Sequence, residues 1–325
     1  MYKAIQVKQK GPKSCALVNL KERELEENEV RVAISYSTLN YKDALAITGT
    51  APILKNYPMV PGIDLVGTVT ETRSELYQVD DAVLLNGWGV GERCDGGLAE
   101  QACIQADSLI PLPQGISAKD SMSLGTAGYT AMLCIQALEE HGIEVGQKIL
   151  VSGASGGVGS IATYILAKRG YHVVASTGKI ADSQFLFDLG AAEIIDRNEL
   201  SQAAKPLQKE RWHAAIDVAG SHTLVNICAS LHYGGAVAAC GLAQGMDFPA
   251  TVAPFILRGI SLLGIDSVYQ KKDKRIKAWQ ALAQEIEPEL LEKITTEVSL
   301  NDCIEQSEQL LGGKIKGRVV VKLSS

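Results

Sequence analysis

Val151-Ser152-Gly153-Ala154-Ser155-Gly156-Gly157-Val158-Gly159 is the stretch that decides the fold. It lies between an apolar run, Lys148 to Ser152, and a helix-like stretch, Ser160 to Arg169. Glycines at 156, 157 and 159 let the backbone approach a pyrophosphate, while the helix that follows presents free N–H groups and the positive end of its dipole. If Gly156 and Gly159 are the second and third members of a dinucleotide fingerprint, Ala154 takes the place of the first glycine. The context is strand, glycine turn, a helix closed by Gly170, and a second apolar strand at His172 to Ala175. Ser155, Gly156, Gly157, Val158 and Gly159 are thus candidates to hold phosphates; the rival reading is a turn that binds nothing.

About twenty residues further on, an Asp or Glu usually takes the ribose hydroxyls of NAD. Here the chain reads Ser176-Thr177-Gly178-Lys179. Two hydroxyls and a cation would welcome the extra phosphate of NADP, which a carboxylate would repel, so NADPH is the expected cofactor. The alternative is a polar loop with Lys179 in solvent.

The 325 residues suffice for two domains, and 46% apolar with 21% charged residues is the composition of a soluble globular protein. No apolar run reaches the roughly eighteen residues that span a bilayer. Met1 to Lys10 alternates as a strand would, without the apolar centre of a signal peptide. Seven cysteines are scattered singly, as suits reduced thiols, so the expected location is cytoplasmic. A net charge of −6 speaks against nucleic acid. The one basic cluster, Lys271 to Lys277, reads either as a solvated helix start or as a landing site for an anionic tail such as the phosphates of coenzyme A.

Residues 1–121 carry short β-like runs at Tyr2 to Val7, Val30 to Ser37, Leu65 to Thr70, Ala82 to Leu85 and Leu98 to Ile104. From Ser121 helix and strand alternate, with six strands at Ile149 to Ser152, Val173 to Ser176, Glu193 to Ile195, Ala214 to Val218, Ala236 to Cys240 and Ser261 to Gly264. That pattern predicts an α/β chain: a β-rich domain over 1–121, completed by 267–325, and a doubly wound parallel sheet over 122–266. Gly317 to Leu323 reads as a strand returning to the first domain, and the two domains would flank a cleft.

Leu39-Asn40-Tyr41-Lys42-Asp43-Ala44-Leu45, Pro61-Gly62-Ile63-Asp64-Leu65-Val66-Gly67, Gly87-Trp88-Gly89-Val90-Gly91, Gly125-Thr126-Ala127-Gly128, the glycine turn and Pro254-Phe255-Ile256-Leu257-Arg258 occur in this order. Taken together the chain resembles the medium-chain dehydrogenases/reductases along its whole length, most closely the zinc-independent quinone-oxidoreductase branch and its NADPH-dependent acrylyl-CoA reductases. The resemblance implies a GroES-like catalytic domain beside a Rossmann domain, and a homodimer joined at sheet edges. Zinc-bearing relatives place a cysteine near Asn40, a histidine at Ile63 and a cysteine near Ser123, so no catalytic zinc is expected.

The chemistry implied is hydride transfer from NADPH to an activated double bond, giving propionyl-CoA from acrylyl-CoA; the alternatives are quinone reduction and a cofactor-binding protein with structural or RNA-binding duties. Tyr41 is the first choice as proton donor, since a phenol ordinarily keeps its proton at neutral pH, or else packs against the nicotinamide. Asn40 could donate to the thioester oxygen, and Asp43 could orient its neighbours or merely cap a helix. Arg197 could reach the adenosine phosphate, and Leu242, Ile256 and Ser267 fall in segments that meet the nicotinamide side in relatives. Leu242 and Ile256 also read as core residues. Trp88 lines a substrate cleft or is a buried structural residue.

Overall fold

A computed structural model describes residues 1–323. They form two compact units, Met1–Thr126 together with the segment from Ser267 onward, and Ala127–Asp266. The first division therefore falls at Thr126, five residues beyond the boundary at 121 read from the pattern change.

The first unit begins with β1 (Tyr2–Val7) and β2 (Cys15–Leu20), an antiparallel ribbon. Then come β3 (Glu29–Leu39), α1 (Tyr41–Thr48), β4 (Asp64–Thr72), β5 (Ala82–Asn86), β6 (Gln101–Gln105), β7 (Ile110–Pro111) and α2 (Ala118–His141). Asn40 caps α1 at its start, and Gly49, in the left-handed region at φ 70°, ends it. The backbone of α2 breaks at Gly125, φ 50° and ψ −155°.

The second unit contains β8 (Lys148–Val151), α3 (Gly157–Lys168), β9 (His172–Thr177), α4 (Ser183–Asp188), β10 (Glu193–Asp196), β11 (Trp212–Asp217), α5 (Ser221–Ser230), β12 (Leu231–Ala239), α6 (Ala253–Arg258) and β13 (Ser261–Gly264). Its six strands are all parallel, in the order β10-β9-β8-β11-β12-β13. Starting from β8 this is the doubly wound order 3-2-1-4-5-6, whose switch point, between β8 and β11, is where such sheets leave a crevice for a dinucleotide. Buried Leu150, Val174, Trp212, Ala215, Ile227 and Val237 fill the core there. Near-continuous apolar strands are what a parallel sheet covered on both faces requires.

The chain then adds α7 (Lys272–Glu285), α8 (Pro288–Ile294), β14 (Thr295–Ser299), α9 (Cys303–Leu311) and β15 (Arg318–Lys322) to the first unit. The expected returning strand is β15, antiparallel to β3 and parallel to β14. The first unit's main sheet runs β14-β15-β3-β4-β5-β7, with β6 also paired to β3. Ile5, Leu39, Ile47, Leu98, Val319 and Val321 pack α1 and β15 into one apolar cluster.

Candidate active site

In the second unit the glycine turn joins β8 to α3, with Gly156 as N-cap in extended conformation. The first-turn amides of α3 have no acceptor one turn back and are available to an anion. The glycine that bends the chain is Gly153, at φ 56°; Ala154, given that place from the fingerprint, is fully buried beneath the turn. A Cβ on Gly159 would sit 2.6 Å from the Cα of Ala154, so the glycine is what lets α3 lie against the turn. Ser152, just past β8, donates to Asp217 Oδ1 at the end of β11, 2.6 Å away, and accepts from Val218 N at 2.9 Å. Asp217 also receives Gly220 N at 2.8 Å, and burial pushes its carboxyl above the usual range. This pair clamps the switch point.

At the end of β9 the residues expected to meet a ribose phosphate divide into two groups. Ser176 and Thr177 are buried, and the Thr177 hydroxyl is taken by Ser155 Oγ at 3.0 Å and Lys179 N at 3.0 Å. Their side chains support the loop from beneath. Gly178 is exposed, and a Cβ there would lie 2.6 Å from Arg197 Nε, so the guanidinium rests directly on this glycine. Arg197 is exposed and makes no ion pair among the described residues. Leu242 and Ile256 are 53% and 73% exposed, which removes the reading of either as core. Arg258, by contrast, is structural, donating to the carbonyls of Ala229 at 2.8 Å and Leu231 at 3.1 Å.

In the first unit Tyr41 opens α1 and is 45% exposed. Beneath it lies a buried polar network. Asp43, at the third position of α1, accepts Asn40 N at 2.9 Å and Ile63 N at 3.0 Å. Burial, reinforced by the nearby Asp64 carboxylate, pushes the Asp43 carboxyl up to about 7. Asn40 donates through Nδ2 to Asp64 at 2.8 Å and Thr38 at 2.9 Å, and its Oδ1 accepts from Arg318 Nη1 at 3.1 Å. With donors and acceptor committed inward, the Asn40 amide holds the network together and is not presented to a thioester oxygen.

Asp64 is the centre of that network, receiving Thr38 Oγ1 at 2.7 Å, Asn86 Nδ2 at 2.7 Å and Thr126 N at 2.9 Å. Arg318 reaches in from β15, donating to Ser123 O at 3.0 Å, and burial lowers its pKa from the ordinary arginine value. A Cβ on Gly125 would come within 2.6 Å of Arg318 Nη2 and 2.7 Å of Asp64 Oδ2, so the break in α2 is what makes room for the pair. Asp64, Asn86, Thr126 and Arg318 were not singled out from the sequence. The available signal was a charge inside an apolar strand, Ile63-Asp64-Leu65 and Gly317-Arg318-Val319, which is costly unless paired.

Trp88 sits at φ 56° between left-handed glycines, half buried, with the Arg275 guanidinium 5.1 Å from its ring centre and the Tyr269 ring edge-on at 6.3 Å. Arg275, the middle of the basic cluster, is buried and donates to Asn86 O at 2.7 Å. Ser267 takes a structural part, its carbonyl accepting from Arg275 at 3.4 Å. Among the described residues no three His, Cys, Asp or Glu side chains are grouped to hold a metal ion.

Two family models match: the alcohol dehydrogenase GroES-like domain over residues 26–114 and the zinc-binding dehydrogenase domain over 157–287. Over 323 residues, 99% of each chain, the protein is 44% identical to the probable acrylyl-CoA reductase AcuI of Escherichia coli (strain K12). It is 42% identical to the putative quinone oxidoreductase YhfP of Bacillus subtilis (strain 168), covering 92% of each. The solved structure of the yhdH oxidoreductase from Salmonella enterica in complex with NADP superposes with a TM-score of 0.96 at 42% identity, covering all of both chains. On this evidence of sequence and fold, the chain belongs to the medium-chain dehydrogenase/reductase family.

Proposed function

We propose that this protein is an NADPH-dependent reductase of the activated carbon–carbon double bond of acrylyl-CoA, acting without zinc. The observation that carries the cofactor choice is Arg197, an exposed guanidinium resting on Gly178 at the end of β9, where an NAD-specific enzyme would present a carboxylate. A planar fork with no internal ion pair suits the 2′-phosphate of NADP. The residues fit the rest of the cofactor: the Gly153–Gly159 turn and the first-turn amides of α3 would hold the pyrophosphate. Exposed Leu242 and Ile256 would offer apolar surface on the nicotinamide side. The sequence likeness to an acrylyl-CoA reductase and the NADP-bound neighbour support the same reading.

When bound, NADPH supplies the hydride that adds to the β-carbon of the acyl thioester. This chain's residues then meet the negative charge that develops on the thioester oxygen. Tyr41, exposed at the first position of α1, donates through its phenol the proton that the α-carbon needs. Asp43, Asn40, Asp64 and Arg318 keep the first turn of α1 in place as positioning residues. The positions that hold zinc in other members of the family carry Asn40, Ile63 and Ser123; the first is saturated, the second has no donor, and Ser123 Oγ is spent on Lys119 O at 3.1 Å.

All seven cysteines are free thiols and no described helix is long and apolar enough to cross a membrane, which supports a cytoplasmic location. Among the described residues β13 pairs only with β12, and it exposes Leu262, which supports a homodimer joined along that edge. The test of the function is NADPH oxidation with acrylyl-CoA, run beside NADH, a benzoquinone and an added chelator. Chelator-resistant turnover with acrylyl-CoA and NADPH is expected. Turnover with quinone alone would transfer the assignment to an NADPH:quinone oxidoreductase, and binding without turnover would remove both.

A further inference from the structure

Resting on that reading, we infer that Lys55 and Arg93 form the subsite for the phosphates of the coenzyme A thioester. Three separate segments of the first unit meet there. Lys55 N donates to Glu92 O at 2.8 Å, and Asn56 Nδ2 donates to Arg93 O at 3.1 Å, which brings the 55–56 segment against the 92–93 loop. At Gly89 an added Cβ would lie 3.2 Å from Arg93 Cδ and 3.4 Å from the Tyr269 hydroxyl. The glycine, at φ 78°, thus lets the arginine stem and the phenol close over the same loop.

The electrostatics favour an anion. Lys55 and Arg93 are both exposed, and neither has an ion-pair partner among the described residues. Of the loop's own acids Glu92 pairs with Lys42 at 2.8 Å, while Asp95 accepts Val60 N at 2.8 Å and has no ion-pair partner among the described residues. Lys55 and Arg93 against the single unpaired carboxylate of Asp95 leave this loop net positive on a chain of net charge −6. The arginine fork and a lysine point charge suit phosphate oxygens, and the half-exposed Tyr269 ring beside them suits an adenine face.

Position completes the argument. Lys42 follows Tyr41 in the first turn of α1, and the Lys42–Glu92 pair joins that turn to the cationic loop. The cationic loop is thus linked through one ion pair to the turn that carries the proposed proton donor. The basic cluster at 271–277 does not supply this site as a unit, because Arg275 faces inward and Lys272 lies 6.0 Å from the Tyr77 ring centre.

The experiment uses the full chain and the double variant Lys55→Ala/Arg93→Ala. Binding of free coenzyme A is measured by calorimetry, and turnover is compared between acrylyl-CoA and the acrylyl thioester of N-acetylcysteamine, which has no phosphate. Each lost charge-assisted contact is expected to weaken coenzyme A binding about tenfold. The ratio of kcat/KM for acrylyl-CoA over the phosphate-free thioester should fall by at least as much, with KM for NADPH unchanged. Equal losses on both thioesters, an unchanged ratio, or a raised KM for NADPH would overturn the assignment. Arginine- and lysine-dependent coenzyme A binding without turnover would uphold the subsite while removing the proposed reaction; no coenzyme A binding by the wild type would remove the subsite.

Discussion

Replacing Arg318 by methionine removes a buried cation that faces Asp43 and Asp64 while keeping much of the side-chain volume. The guanidinium loses its bonds to Ser123 O and Asn40 Oδ1, and two buried carboxylates lose the positive charge beside them. Removing one partner from a buried charge set costs about 3–5 kcal/mol. For a unit of this size that lowers the melting temperature by roughly 6–20 °C. The loss should depend on pH. The Asp43 carboxyl titrates near 3.8 when unfolded and is pushed up to about 7 in the fold. Between those values the folded state holds a proton that the unfolded state has released, so the stability tied to this group is full below the lower value and is lost as pH rises through the upper one. Without Arg318 that upper value moves higher still, so the melting deficit should be level while Asp43 is protonated in both forms, near pH 5, and widen as pH rises from about 6 to about 8. Differential scanning fluorimetry across that range measures it, and adding Asp64→Asn to the same variant should recover part of the loss. A variant melting within about 2 °C of the wild type throughout, or a deficit independent of pH, would refute the charge-balance reasoning.

Arg197→Gln should lower the preference for NADPH over NADH about ten- to hundredfold, read as the ratio of kcat/KM values, because charge-assisted contacts to the 2′-phosphate disappear. Gly159→Ala should cost about 1–3 kcal/mol, since its Cβ meets backbone at Ala154. Gly156→Ala, whose nearest neighbour is Gly153 O at 3.3 Å, should melt close to the wild type yet lose the stabilisation that NADPH confers. Tyr41→Phe should lower kcat about a hundredfold with the dissociation constant for NADPH unchanged; an unchanged kcat would assign the proton to water.

The nucleotide-binding unit was legible because its signals are local. Apolar runs of strand length, a glycine turn and Gly170 all lie within a few residues of what they determine, and the six expected strands correspond to β8 through β13. β2 escaped notice because Cys15-Ala16-Leu17-Val18-Asn19-Leu20 has no apolar–polar alternation in sequence and, among the described residues, pairs only with β1. Burial was also beyond local reading: Ser176 and Thr177 present as polar loop residues in the sequence, yet end β9 with their side chains inside. The polar network was harder still. Arg318 and Asn40 are 278 positions apart, and nothing near either residue announces the other.

That network also bears on the proposed zinc-independent chemistry. A divalent cation is favoured where several ionised donors converge and leave surplus negative charge. Here Asp64 faces Arg318, and Asp43 retains its proton to about pH 7, so the buried set sums to near neutrality. Its lone pairs are directed at Asn40, Ile63 N, Thr38, Asn86 and Thr126. The exposed group beside it is the Tyr41 phenol, the proton donor under the proposed function. Under the proposed function such a site has little means of ionising an alcohol but can protonate an enolate, which favours reduction of a conjugated thioester over alcohol dehydrogenation.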